Sequence, residues 1–219
     1  SWNVNGIRAA LNKGLADSGG GSDVEDAEDD GEVVVDERSS FHFAARIASL
    51  FVFPDNNWGR PDAPVGGVWG SEGFEENVKV ADKNSVVMTQ RYRLTQRFVD
   101  GFGDTEVEKL RNLYRLSCKY STVIRKILDN RANGKKTFVY CELVENGGII
   151  LLALLFNKLF GWTEANGTET TKGNRFAFMA AEVGSARIKK LTRRFNNEDN
   201  INGEFISVII GSSAVAEGV

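Results

Sequence analysis

The chain has 219 residues, of which 42% are hydrophobic and 26% are charged, a composition typical of globular proteins. Its longest apolar run, residues 149–156, is much shorter than the roughly 20 residues that span a bilayer, so we expect no membrane partner. Two cysteines, Cys118 and Cys141, argue against a disulfide framework or a zinc cluster. We interpret them as two buried thiols in a reducing compartment.

Charge is distributed unevenly along the chain, although the formal net charge is only -3. Residues 1–37 hold ten of the 30 acidic residues and two of the 27 basic residues. The remaining residues therefore carry 20 acidic and 25 basic side chains. A mildly basic body of this kind is compatible with nucleic-acid binding.

The first forty residues predict no folded domain of their own. The chain begins without Met, and we interpret it as a fragment of a longer protein. Residues 1–17 predict a short strand and the start of a helix. Residues 18–40 combine Gly and Ser with mutually repelling carboxylates, which predicts a disordered acidic linker. An alternative is that this acidic leader mimics nucleic acid and covers a basic groove.

The next segment, residues 41–105, combines apolar stretches with loop-forming stretches. Residues 41–53 are apolar and predict either a strand or a buried helix, and residues 54–73 predict a loop because they are rich in Gly, Pro, Asn and Asp. Residues 106–131 then predict one long helix, since apolar side chains recur every three or four positions. Gly134 suits the left-handed conformation that ends helices.

The last third of the chain alternates between strand and helix patterns. Strands are predicted at residues 137–141, 175–179 and 205–210, and helices at residues 149–160 and 186–195. This order predicts an α/β domain with a mainly parallel sheet covered on both faces. Ligands of such sheets bind at the carboxyl ends of the strands.

Several common catalytic patterns are absent from the sequence. It contains no phosphate-binding loop of the G-x-x-x-x-G-K-[ST] type and no acidic pair after an apolar strand. The single histidine, His42, has no metal-binding neighbour in sequence, so a packed or exposed histidine is the simpler interpretation. We therefore predict no catalytic residue and no metal site within this chain.

The order of motifs after residue 136 resembles the second RecA-like lobe of superfamily-two helicases. Residues 137–148 resemble the fourth helicase motif, residues 178–196 the segment after it, and residues 197–219 the fifth motif. The phrases LVENGGIILLALLF, FNNEDNINGE and VIIGSSAVAEG are most similar to helicases of large cytoplasmic DNA viruses, including the poxvirus-type early transcription factor small subunit. The residues that carry the likeness are Gly184, Arg187, Phe195, Asn196, Ser212, Ser213, Glu217 and Gly218.

This resemblance implies an inter-lobe connecting segment over residues 41–105 and a three-layer RecA-like lobe over residues 106–219, with nucleic acid bound at its strand ends. Residues expected to contact DNA or RNA are Tyr140, Glu142, Arg187, Arg193, Arg194, Ser212 and Ser213. Glu217 and Gly218 would face the nucleotide cleft between two lobes. Lys189 and Lys190 could add phosphate contacts, although all basic residues of this helix could equally form only its solvated face.

The family pattern is incomplete in this chain. A first lobe, which would hold most of the ATP and Mg²⁺, and a sixth motif with an arginine finger are both missing from the sequence. We therefore expect the chain alone not to hydrolyse ATP. The resemblance further implies a missing N-terminal lobe and viral transcription subunits as partners, and a location in the host cytoplasm or virion.

A second, short resemblance covers residues 1–15, which are similar to the opening of exonuclease III-type apurinic endonucleases. Asn3 and Asn5 would correspond to positions near a catalytic magnesium, but the carboxylate and histidine segments of that family are absent. A fusion remnant, a mis-assembled gene or chance would each explain the match. Two alternative functions thus stay open: a truncated endonuclease, and a non-catalytic RecA-like module that binds proteins.

Overall fold

The computed structural model describes residues 37–55, 58 and 67–213. The segment before residue 106 is built from short elements. They are α1 Glu37–Leu50, β1 Phe53–Pro54, β2 Gly67–Val68, α2 Gly70–Asn77, β3 Val78–Val80, α3 Met88–Arg91, β4 Tyr92–Leu94 and α4 Gln96–Asp100. We call this part the accessory segment.

Longer elements follow and form an α/β lobe. They are α5 Glu106–Leu116, α6 Cys118–Ala132, β5 Thr137–Tyr140, α7 Ile149–Phe160, β6 Thr163–Glu164, β7 Arg175–Met179, α8 Ser185–Phe195 and β8 Val208–Gly211. Short 3₁₀ turns lie at Ala181–Val183 and Glu198–Asn200.

Four strands form one parallel sheet in the order β5-β8-β7-β6. Phe138 pairs with Ile209, and Val208 pairs with Phe176, so the three predicted strands lie side by side and run in the same direction. The predicted α/β class with a mainly parallel sheet is therefore confirmed. Residues 137–213 therefore do not form the antiparallel sandwich that an apurinic endonuclease would require.

Helices cover both faces of this sheet and give it three layers. Successive strand residues point to opposite faces, so Phe176 and Met179 lie on different sides. The ring of Phe156 on α7 lies 6.2 Å from that of Phe176, measured between centroids. The Thr192 hydroxyl on α8 lies 4.0 Å from the Met179 sulfur. This arrangement is consistent with a RecA-like domain.

Helix α7 is buried almost all round, with every residue from Ile149 to Phe156 below the surface. A helix that is apolar on all sides has to be enclosed on all sides. The sheet lies on one flank of α7, and α3 and β4 of the accessory segment lie on another. The helix ends as predicted at Gly161, whose φ of 69° is left-handed.

Antiparallel hairpins and an aromatic cluster hold the accessory segment together. Strand β1 pairs with β2, and β3 pairs with β4. The Phe98 ring lies 5.1 Å from that of Phe102 and 6.1 Å from that of Phe53. The Trp58 indole N–H donates to the Phe98 carbonyl at 2.9 Å. Rings from distant parts of the sequence thus replace a regular sheet core.

The predicted helix over residues 106–131 is wrong in one respect, because the structure has two helices there. Ser117 lies between them in an extended conformation, with φ -155° and ψ 105°. Its hydroxyl accepts from the Tyr120 N–H at 3.0 Å and lies 2.6 Å from the Leu50 carbonyl, to which it donates. Ser caps helix starts well, so a new helix begins at Cys118.

Other predicted boundaries also differ from the structure. The apolar residues 41–53 belong mainly to helix α1, which starts at Glu37, within the range assigned to the acidic linker. The third strand is shorter than predicted, because the Phe205 and Ile206 N–H groups donate to the Asn200 side-chain oxygen. Strand β6 was not predicted at all.

The prediction of two buried thiols is wrong. Cys118 is exposed in the first turn of α6, and Cys141 is half-buried directly after β5. Both are free. Among the helices that the structure describes, none combines the length and the apolar character needed to cross a membrane. The predictions for residues 1–36 lie outside the described residues.

Candidate nucleic-acid interface

The carboxyl ends of three neighbouring strands form one edge of the sheet, which we call the carboxyl edge. Tyr140 ends β5, Gly211 ends β8 and Met179 ends β7, and these three residues are in register. Ser212 and Ser213 follow directly after β8. The structure therefore brings Tyr140 together with the serine pair, although they are more than 70 positions apart in sequence.

The two serines differ in what they offer to a ligand. Ser212 is 2% exposed, and its backbone N–H donates to the Met179 carbonyl at 3.1 Å. Ser213 is exposed. A hydroxyl contact to a phosphate is thus more accessible at Ser213 than at Ser212. The predicted cleft residues Glu217 and Gly218 lie outside the described residues.

Aromatic side chains are exposed along the outer strand β5. Tyr140 is 50% exposed and Phe138 is 54% exposed, and both point to the same face of the sheet because they are two positions apart. Exposed rings of this kind provide stacking surfaces for nucleobases. The sequence prediction missed Phe138, although its two-residue spacing from Tyr140 is the signal that could have found it.

The loop that follows β5 is tied to α1 and α6. Glu142 forms an exposed ion pair with Arg46 on α1. The Tyr120 hydroxyl lies 2.8 Å from the Gly148 carbonyl and is also close to the Gly147 carbonyl. Burial raises the pKa of Tyr120 well above its ordinary value, so this hydroxyl stays a donor. The loop is therefore anchored at both of its ends.

Two cations near this edge, Arg46 and Lys119, were not among the residues predicted to contact nucleic acid. Burial raises the pKa of the Cys141 thiol, and the charges of Arg46 and Lys119 act in the opposite direction. Lys119 also donates to the Ser49 hydroxyl at 3.0 Å. Because α1 and α6 carry these side chains, no local motif in the sequence could reveal their proximity to β5.

The three arginines predicted on α8 have different environments. The Arg187 side chain is 15% exposed, donates to Glu164 at 3.0 Å and to the Ala165 carbonyl at 3.1 Å. The Arg194 side chain is 11% exposed and donates to Asp199 at 2.6 Å. Both guanidinium groups thus have partners within the chain, and their contact with nucleic acid stays a prediction.

Arg193 is exposed, as are Lys189 and Lys190. Among the described residues, Arg193 forms no ion pair. It lies in the last turn of α8, which starts at the carboxyl edge after β7 and returns toward the start of β8. The helix rises 1.5 Å per residue, so Arg193 lies about 12 Å along the helix axis from Ser185. It is therefore at the end of α8 that is remote from the carboxyl edge.

Glu164 links the lobe to the accessory segment. Its carboxylate accepts from the Thr89 backbone N–H at 3.0 Å and from the Thr89 hydroxyl at 3.3 Å, besides its ion pair with Arg187. Burial raises the pKa of Glu164, and the Thr89 hydrogen bonds and the Arg187 charge offset only part of that effect. The sequence offered no signal for this link, because its partners are 75 and 23 positions away.

Within the described ranges, no group of three or more His, Cys, Asp or Glu side chains is arranged to hold a metal ion. Exposed groups at or near the carboxyl edge include two aromatic rings, the Ser213 hydroxyl, the cations of α1 and α6, and the carboxylates of Glu142 and Glu182. The rings can stack on bases, and the hydroxyl and cations can bind phosphates.

The fold and the carboxyl edge define the class of protein: an α/β lobe with a parallel sheet, consistent with the RecA-like type. No protein-family model matches the chain. No solved structure matches it either.

Curated relatives are viral proteins named as helicases. The chain is 44% identical over 110 residues to "Putative helicase 009L" of Frog virus 3 (isolate Goorha), a match that covers 49% of this chain and 11% of the relative. It is 30% identical over 186 residues to "Putative helicase 087L" of Invertebrate iridescent virus 3, covering 84% of this chain and 16% of the relative.

A third relative extends the same pattern. The "Putative ATP-dependent RNA helicase" of Heliothis virescens ascovirus 3e is 27% identical over 177 residues, which cover 77% of this chain and 16% of the relative. The chain therefore spans less than a fifth of the length of these relatives. The similarities support a helicase family for this chain.

Proposed function

We propose that this chain forms part of the C-terminal RecA-like lobe of a superfamily-two helicase or translocase and binds single-stranded nucleic acid along the carboxyl edge. The observation that carries the proposal is the register of Tyr140 with Gly211, which places an exposed ring beside the serine pair. The similarity to viral helicases supports the same conclusion.

In this proposal the edge contacts the strand through its bases and its phosphates. Tyr140 and Phe138 stack on bases, since both rings are about half exposed on one face. Ser213 donates to a phosphate, and Lys119 adds positive charge nearby, while the charge of Arg46 is partly offset by its ion pair with Glu142. Glu142 acts indirectly by holding Arg46 in place, because a carboxylate would repel a phosphate.

The complete protein would use ATP. A second lobe, absent from this chain, would hold most of the ATP and Mg²⁺, while Glu217 and Gly218 would line the cleft between the lobes. We further propose the subtype of the poxvirus early transcription factor small subunit, with viral transcription subunits as partners and a site of action in the host cytoplasm or virion. A lobe of this kind alone would not hydrolyse ATP.

The test is the affinity of the 219-residue chain for a fluorescently labelled single-stranded oligonucleotide, measured by anisotropy. Tyr140→Ala should weaken binding about tenfold, because stacking on one base contributes roughly 1–3 kcal/mol. Tyr114→Ala is the matched control, since Tyr114 on α5 is 61% exposed and lies outside β5. Equal affinities of the two variants would contradict the proposal.

The same assay separates nucleic-acid binding from the alternative of a protein-interaction module. Absence of oligonucleotide binding at 50 mM salt, or binding whose affinity Tyr140→Ala leaves unchanged, would favour that alternative. Arg193→Glu is a sharper probe of α8 than any substitution of Arg194. Arg194 donates to Asp199 and to the Glu169 carbonyl, so its loss would disturb the fold.

A further inference from the structure

A polar groove lies between the β3–β4 hairpin and helix α7, away from the carboxyl edge. Its volume is about 520 Å³, within the usual range of ligand sites. The lining residues are Lys79, Thr89, Tyr92, Arg93, Leu94, Thr95, Gln96, Leu154, Asn157 and Lys158. Three of these are cations and none is a carboxylate.

Two of the cations are placed where they repel each other. Lys79 on β3 and Arg93 on β4 are direct partners in the antiparallel register, so their side chains lie on the same face. Like charges opposite each other destabilise a strand pair. A bound anion would remove this repulsion, and the chain itself places no carboxylate among the groove residues.

The third cation comes from a separate element. Lys158 is exposed near the end of α7, whose Leu154 forms an apolar part of the groove wall. Among the residues that the structure describes, neither Arg93 nor Lys158 forms an ion pair. Lys79 donates to the Glu75 carbonyl at 2.5 Å. That carbonyl holds the Lys79 ammonium without neutralising it, and Arg93 and Lys158 are the two cations most available to a ligand.

The uncharged lining residues differ in whether they leave a donor for an anion. The Asn157 amide already donates to the Trp162 carbonyl, and the Gln96 amide donates to Asp100. Thr95 precedes α4 without using its side chain as a cap, so its hydroxyl can donate to a ligand. A phosphate accepts several such bonds together with charged ones.

We propose that this groove binds backbone phosphates of nucleic acid and forms a second contact surface, separate from the carboxyl edge. The inference rests on the proposed function, because it takes nucleic acid as the ligand. Nucleic acid is favoured over a small anion because the groove is open and its cations come from three separate elements, β3, β4 and α7.

The experiment compares two double variants of the 219-residue chain in the oligonucleotide assay. Arg93→Gln with Lys158→Gln removes the two available charges of the groove. Arg125→Gln with Lys126→Gln is the matched control, since both of those residues are exposed on α6 and neither lines the groove. Affinity is measured between 50 and 200 mM salt.

The groove variant should reduce the slope of log affinity against log salt by about 1.4, because each lost phosphate contact on a single strand contributes roughly 0.7. The control should change the slope much less. Equal slopes in the two variants, with Tyr140→Ala still weakening binding, would overturn the groove proposal and leave the proposed function intact. If none of the variants changes binding, both proposals fail.

Two further arms identify the source of the anion. Inorganic phosphate at constant ionic strength should not displace the oligonucleotide from the groove. If phosphate displaces the oligonucleotide from the unmodified chain but not from the groove variant, the site belongs to free phosphate instead.

A synthetic peptide of residues 18–37 tests the acidic leader. Binding of that peptide that is lost in the groove variant, without any loss of oligonucleotide binding, would overturn the proposal in favour of the leader.

Discussion

The α/β lobe and the accessory segment bury their apolar side chains by different means. In the lobe, β7 and β8 are almost entirely buried, and regular helices cover both faces of the sheet. In the accessory segment, strands of two or three residues provide little core, and rings from Phe51 to Phe102 meet in a cluster. One region relies on repeated backbone pairing and the other on contacts between individual aromatic side chains.

Helix α7 and Glu164 connect these two regions. The helix packs between the sheet and the elements α3 and β4, and the carboxylate accepts two hydrogen bonds from Thr89. The two regions therefore differ in construction but are joined in packing. Substitutions at the connection should affect both regions, whereas substitutions away from it should stay local.

The largest effect is expected for Phe156→Ala on α7. Phe156 is fully buried, and its ring lies 5.3 Å from that of Trp162 and 6.2 Å from that of Phe176. Loss of such a ring lowers the free energy of unfolding by about 3–5 kcal/mol. Urea denaturation measures the loss, and hydrogen exchange should show reduced protection in the sheet and the accessory segment together.

The control for this substitution is Val107→Ala, because Val107 is 75% exposed. Its effect should stay within about 0.5 kcal/mol, as is usual for surface positions. Reduced protection confined to the sheet after Phe156→Ala would show that the regions unfold independently.

A smaller, pH-dependent effect is expected for Glu164→Gln at the link to Thr89. Burial raises the pKa of Glu164 in the folded chain, so the folded chain binds more protons than the unfolded chain once the pH exceeds about 4.3. The contribution of this carboxyl to stability is therefore complete at lower pH and is lost as pH rises through the folded pKa.

The measurement is the unfolding free energy of wild type minus that of Glu164→Gln, at intervals from pH 4 to pH 7. Gln does not titrate, so the pH dependence of this difference reports on Glu164. The difference should fall as pH rises, because ionisation of the buried carboxyl is disfavoured in the folded chain. Glu142→Gln is the comparison variant, since Glu142 also pairs with an arginine but is 60% exposed. A difference that rises with pH would show that the Arg187 charge outweighs burial.

The smallest effect is expected for Thr105→Ala at the start of α5, away from the connection. Thr105 and Glu108 form a capping box, in which the Thr105 hydroxyl accepts from the Glu108 N–H at 3.2 Å and the Glu108 carboxylate accepts from the Thr105 N–H at 3.0 Å. Loss of a threonine cap costs about 1 kcal/mol. Thermal or urea unfolding measures this loss of stability, with Thr105→Ser as a variant that retains the capping hydroxyl. Equal losses in Thr105→Ala and Thr105→Ser would show that the hydroxyl does not stabilise the helix.

Sequence patterns predicted the lobe well because its signals are local. Helix α7 was predicted at its observed bounds, and β5, β7 and β8 were predicted within a few residues. The break at Ser117 was missed because the apolar spacing continues through it. The hairpins β1–β2 and β3–β4 were missed because strands of two or three residues show no alternation.

The candidate interface was predictable only in part, for a similar reason. A parallel sheet brings Tyr140, Ser212 and Ser213 to one edge, and that follows from strand order alone. The burial of Ser212, and the internal partners of Arg187 and Arg194, depend on residues from other elements. Arg46 and Lys119 lie near β5 only because α1 and α6 pack there, which no pattern within either helix reveals.

The burial of the apolar residues of α7 has a mechanical consequence. Pulling the accessory segment off this helix would expose leucine and isoleucine side chains, at a cost of about 1.5–3 kcal/mol for each one fully uncovered. That penalty is large compared with the free energies that drive most domain motions. The accessory segment and the lobe should therefore move as one rigid body, and any hinge that opens and closes a neighbouring domain must lie elsewhere.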